Sequence, residues 1–130
     1  MTNKPFGEAW MAGYFTMVDR LDPEELVTWY TEDGSFRFAN QPPAKGKAAI
    51  VAALQQFYGT IRSMHHEKTG CWADDHSGAW EAVAHFETKD GRKASLPAVS
   101  TLRVRDGLIY DFRFVMDASP LTQANGENMR

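Results

Sequence analysis

The residues of this chain that could do chemistry are four histidines, one cysteine and a few polar groups on otherwise apolar faces. Imidazole takes and gives protons near neutral pH, so the histidines come first. His76 lies in the turn-like run Asp74-Asp75-His76-Ser77-Gly78 and is read as inert. His85 stands between Glu81 and Glu87 on a side expected to meet solvent or a second subunit. His65 and His66 are adjacent, so in a strand their rings point to opposite faces and cannot share a metal; no metal is expected. His66 shares its face with Met64 and Trp72, whereas His65 shares its own with Glu67 and Thr69, and a bulge in the strand would make His65 the inward one. Cys71 falls on the polar side without a neighbouring base, and a single cysteine forms no internal disulfide. Tyr14 and Asp19 on the first helix, Asn40 and Ser100 complete the set of polar groups that could face inward. Such a set suits acid–base chemistry that needs no cofactor.

These side chains must be positioned by helices first and strands afterwards. Trp10, Tyr14, Met17, Val18 and Leu21 recur at three and four residues, which predicts a helix over 5–20. Asp22 caps a second helix with Pro23 in its first turn and Glu24 and Glu25 behind it. That helix carries Leu26, Trp29 and Tyr30 and stops at Thr31-Glu32-Asp33-Gly34, with Gly34 available for a positive φ. A short strand, Ser35 to Asn40, precedes a loop that Pro42 and Pro43 keep from being helical. A third helix spans about 47–61, with Ile50, Val51, Leu54, Phe57, Tyr58 and Ile61 inward. Strands follow near 64–73, 79–88, 93–104 and 108–117, with Asp90-Gly91 and Asp106-Gly107 marking hairpins. The polar stretch 122–130 is expected to be a mobile tail after a domain of 1–121. The expected architecture is α+β, in the order α-α-β-α-β-β-β-β, with helices covering one face of a curved sheet.

Alternation sorts the two faces of that sheet. One carries Phe36, Phe38, Asn40, His66, Trp72, Phe86, Ser100, Phe112, Phe114 and Met116, with Ala82, Ala84 and Ala98 leaving room beside the rings. Read functionally, these are the substrate-binding residues of an apolar pocket for a small molecule; read structurally, an aromatic stripe is simply core. The opposite face carries Val83, Val99, Ile109 and Val115, apolar positions that predict a homodimer. A net charge of -3 with no basic cluster argues against nucleic acid. No apolar run approaches the roughly 20 residues of a membrane span, and Met1 to Glu8 contains no signal-like apolar segment, so a cytoplasmic protein is expected.

Several segments together resemble the nuclear transport factor 2-like superfamily, in its SnoaL-like branch. They are Val18-Asp19 through Leu26, Tyr30-Thr-Glu32-Asp33-Gly-Ser-Phe36, Lys45-Gly46 through Ile50, Met64-His65-His66-Glu67, Phe86 through Gly91, and Leu102 through Arg113. The resemblance spans about Phe6 to Leu121 and implies a cone-shaped mixed or antiparallel sheet wrapped around the helices. This scaffold serves many chemistries. The aspartates of ketosteroid isomerases fall at Phe38 and Ser100, although Tyr14 matches their tyrosine. The triad of limonene epoxide hydrolases falls near Ala84, Ala82 and Phe114, and the aspartate of polyketide cyclases also near Phe114. Scytalone dehydratase and lindane dehydrochlorinase set an aspartate at the end of the first helix against a histidine after the third. Asp19 and His66 match that pair, which implies His66 as base, Asp19 orienting it and Tyr14 donating a hydrogen bond. A lyase or isomerase acting on an apolar, cyclic small molecule is the function implied. A noncatalytic binding or assembly domain, or a cyclase-like or epoxide hydrolase-like enzyme with altered residues, stands as the alternative.

Overall fold

A computed structural model describes residues 5–122 of the chain. The helix α1 (Glu8–Val18) buries Trp10, Met11, Tyr14, Phe15 and Val18. It is followed by α2 (Pro23–Leu26), whose Asp22 cap accepts the Glu25 N–H at 3.2 Å, and by a 3₁₀ turn, Val27–Trp29. Then come β1 (Tyr30–Phe38), β2 (Ala44–Lys45), α3 (Lys47–Tyr58), β3 (Ile61–Ala73), β4 (Ser77–Thr88), β5 (Lys93–Arg105), β6 (Leu108–Val115) and α4 (Ser119–Thr122). The tail expected from residue 122 lies, beyond Thr122, outside the described residues.

Six strands form one mixed, curved, unclosed sheet in the order β2-β1-β6-β5-β4-β3. β1 runs parallel to β6, and the other pairings are antiparallel. This is the expected α+β cone, with one two-residue strand, β2, that the sequence did not announce. Its concave face is filled from α1: Phe15 stacks on Trp80 of β4 at 5.0 Å, and Tyr14 meets Phe112 of β6 at 5.5 Å between centroids. At the Asp-Gly hairpin joining β5 and β6, Asp106 and Gly107 both take positive φ (54° and 77°), the mirror-image turn that matches strand twist.

Six local expectations are corrected. Tyr30 belongs to a strand, not to the second helix, and Gly34 has no positive φ. Gly34 is needed instead for close approach, since a Cβ there would stand 3.2 Å from the Thr31 carbonyl and 3.3 Å from that of Ile109. Trp72, expected inward, is 60% exposed, because the β3–β4 register shifts between Lys68 and Gly70 and exchanges the faces beyond it. Cys71 consequently turns toward the core rather than the polar side. Asn40 is exposed because β1 ends at Phe38 and Ala39 adopts a φ of 53°. Ile109, expected on the outer face, is fully buried, since a second register shift opposite Arg103 and Val104 reverses alternation in β6.

Candidate active site

Asp19 closes the C-terminal end of α1, and Leu21, at a φ of 60°, then reverses the chain into the Asp22 cap. This puts the Asp19 carboxylate against the free edge of β3, the last strand of the sheet. It contacts one residue twice: Oδ2 accepts the backbone N–H of His66 at 3.0 Å, and Oδ1 lies 2.7 Å from the ring Nδ1. Two bonds to one residue fix both where the strand lies and how the imidazole is turned. A carboxylate oxygen can only accept, so Nδ1 carries a proton, and in the neutral ring that leaves the lone pair on Nε2. The His66 side chain is only 3% exposed. Its Nε2 is buried and has no hydrogen-bond partner among the described residues. His65 points outward, 73% exposed, with Nδ1 3.8 Å from the same carboxylate.

His66 lines an apolar cavity with about 30 Å³ of free volume, bounded by side chains of α1, α2, α3, β1, β3 and β6. Phe15 lies 5.2 Å and Phe114 6.1 Å from the imidazole, ring centre to ring centre. The polar tips around the space are phenolic. Tyr14 and Tyr30 hydroxyls are 2.6 Å apart, and Tyr58 donates to the carbonyl of Val18 at 3.2 Å. Burial raises the pKa of all three well above the usual phenol value of 10, and the charges of Asp19 and Asp22 push Tyr58 further up. These groups therefore remain neutral hydrogen-bonding phenols.

The structure brings together His66, Asp19 and Tyr14, with Phe36, Phe38, Phe112 and Phe114 on the cavity wall. The other positions read as substrate-binding do not line it. Phe86 packs edge-on behind Phe57 at 6.1 Å, and Ser100 is buried between its strand partners Trp80 and Phe114. Met116 and the exposed Asn40 line a separate open groove with Asp117 and Ser119, and Trp72 faces out. Tyr30 and Tyr58 were not singled out as site residues by the sequence. Tyr58 offered one signal, a hydroxyl on an otherwise hydrocarbon helical stripe; Tyr30 was hidden by its assignment to a helix. Burial also raises the pKa of Cys71, which makes its thiol a poor nucleophile. Among the described residues no group of three His, Cys, Asp or Glu could hold a metal, and no helix is long and apolar enough to cross a membrane.

The SnoaL-like domain family matches residues 11–112. No curated protein matches the chain significantly. Among solved structures, a protein with a ketosteroid isomerase-like fold from Catenulispora acidiphila, in complex with trimethylamine, superposes with a TM-score of 0.79. It is 18% identical, over 89% of this chain and 91% of that one. A nuclear transport factor 2-like protein of unknown function from Burkholderia pseudomallei gives 0.77 at 13% identity, over 87% and 92%. A candidate polyketide cyclase from Xanthomonas campestris pv. campestris gives 0.75 at 22% identity, over 86% and 90%. The likeness is one of fold.

Proposed function

The chain belongs to the SnoaL-like domain family, and from that premise we propose that it is a cofactor-independent enzyme abstracting a proton from a small molecule, in a dehydratase- or isomerase-type reaction. One observation carries the reading: His66 Nε2 is unpartnered at an apolar cavity while Nδ1 is held 2.7 Å from Asp19. A buried imidazole nitrogen left without a partner is costly unless something binds there.

In the reaction Nε2 takes a proton from a carbon next to a carbonyl, or next to the carbon that bears a leaving group, and the imidazolium that forms faces the Asp19 carboxylate. The apolar lining strengthens that attraction by excluding water. The Tyr14–Tyr30 pair holds two hydroxyl protons and needs one for the bond between them. When Tyr30 donates to Tyr14, the Tyr14 proton is left to polarise a ligand oxygen, and burial keeps that proton in place. Protonating the leaving group from the imidazolium, or returning the proton to another carbon, resets His66.

A noncatalytic binder is the second reading, favoured because every lining side chain except His66 and the tyrosine hydroxyls is hydrocarbon or thioether. Proton exchange separates the two. With 2-tetralone in deuterated buffer, the protein accelerates loss of the α-proton NMR signal, and His66→Gln lowers this by about 10²–10⁴-fold. A wild-type rate equal to the buffer rate, with the ketone shown to be bound, leaves the binder.

A further inference from the structure

The cavity beside His66 is too small for an organic substrate: about 30 Å³ admits roughly two water molecules, at about 15 Å³ each. On its other side lies an open groove of about 600 Å³, within the roughly 300–1,000 Å³ range of small-molecule sites. Phe36, Phe38 and Phe57 line both spaces, so these three rings are the partition between them. Two of the three are only partly buried: Phe38, the last residue of β1, and Phe57, in the last turn of α3. Their ring centroids lie 4.7 Å apart. Each is held on its inner side by another ring, Phe38 by Phe114 at 5.4 Å and Phe57 by Phe86 at 6.1 Å. Beside them the groove is lined by Ala53, Ala44 and Pro42, small or rigid side chains.

The linings also limit the ligand. Among the described residues bordering either space there is no Lys, Arg, Asp or Glu. The guanidinium of Arg92, which donates to the Pro120 and Leu121 carbonyls at 3.2 and 3.4 Å, is not part of either lining. A phosphate or carboxylate on the ligand would lose its hydration with no cation to replace it. The polar side chains of the groove are the amides of Gln41 and Gln56 and the hydroxyl of Thr60, which suit hydroxyl or carbonyl substituents.

Resting on the reading of His66 as the base, we propose that the groove between α3 and the β1–β2 loop is the outer half of the substrate site and its way in. Phe38 and Phe57 form the gate, and the substrate is a neutral, ring-bearing molecule whose reactive end passes between them. The probes are 2-naphthol and its anionic counterpart 2-naphthoate, followed on protein labelled at alanine, leucine and methionine methyls. Ala53 and Leu121 report on the groove and Met64 on the cavity. Expected are shifts at all three with 2-naphthol and at least tenfold weaker binding of 2-naphthoate. Ala53→Trp fills the groove, weakens 2-naphthol at least tenfold and silences Met64, while Phe57→Ala speeds the Met64 response. Phe57→Leu serves if the alanine variant does not fold. Equal affinity for the two probes, no response to millimolar 2-naphthol, or a Met64 response unchanged by Ala53→Trp overturns the proposal. The naphthol measurements are made with His66 in place, and the tetralone exchange compares the parent with His66→Gln. Probe binding as described without His66-dependent tetralone exchange therefore sinks the catalytic reading alone. Exchange that needs His66 but ignores Ala53→Trp sinks the groove alone.

Discussion

A carboxylate at a helix C-terminus meets the negative end of the helix dipole, so Asp19 is poorly placed for α1 taken by itself. What compensates is His66, which offers it two donors, one from the backbone and one from the ring. Asp19→Ala leaves both donors without their acceptor and should cost about 1–3 kcal/mol in urea unfolding. In Asp19→Asn an NH2 donor replaces one of the two accepting oxygens, so one of the bonds loses its acceptor and the imidazole is no longer held with its proton on Nδ1. Nitrogen-15 NMR should therefore report the Nδ1–H form of His66 in the parent and a mixture in the variant. The buried phenols add a pH dependence with a definite sign. Tyr14, Tyr30 and Tyr58 have folded pKa values raised above the unfolded value of 10, so only the unfolded chain ionises readily. The stability they contribute is complete below pH 10 and declines as pH rises beyond it. Absorbance at 295 nm should show these three phenols ionising together with unfolding. Their separate titration with the fold intact would contradict the buried arrangement.

Elements were readable where their residues repeat regularly and unreadable where one residue breaks the repeat. The strict alternation of β4, from Trp80 to Thr88, and the Asp-Gly turns at 90–91 and 106–107 gave strand and hairpin positions from local chemistry alone. Asp19 and His66 lie 2.7 Å apart because a helix end and a strand edge are placed by the fold. Trp72 and Ile109 failed for one physical reason: an extra residue in one strand exchanges inside for outside, and nothing in composition marks it. Asn40 failed because a positive φ at Ala39, a residue that rarely adopts one, ended the strand early. The Tyr14–Tyr30 bond joins residues 16 apart in sequence and depends on how α1 crosses β1, which no local pattern records. Gly34 holds β1 against β6 at that crossing. Gly34→Ala must push apart contacts of 3.2–3.3 Å, two of them to backbone carbonyls. The expected loss is about 1–3 kcal/mol, measured by chemical denaturation, typical of forcing atoms into a packed interior.

At the scale of the molecule, the convex face of the sheet carries Val83, Val99 and Val115, with Val99 and Val115 paired across β5 and β6 and Val115 60% exposed. We expect a homodimer through this face, without the buried Ile109. Light scattering should give twice the chain mass at micromolar concentration and Val115→Lys a monomer; a monomeric parent protein refutes it. The two borders of the sheet differ. One ends in β2, two residues long, and the other in β3, thirteen residues long, whose outer row of backbone groups could template a strand from another chain. Asp19 occupies the His66 N–H on that border. The carboxylate that turns the imidazole is thus also a guard against edge-to-edge association. Its removal should shorten the lag before aggregation in stored samples, even at temperatures where the variant remains fully folded.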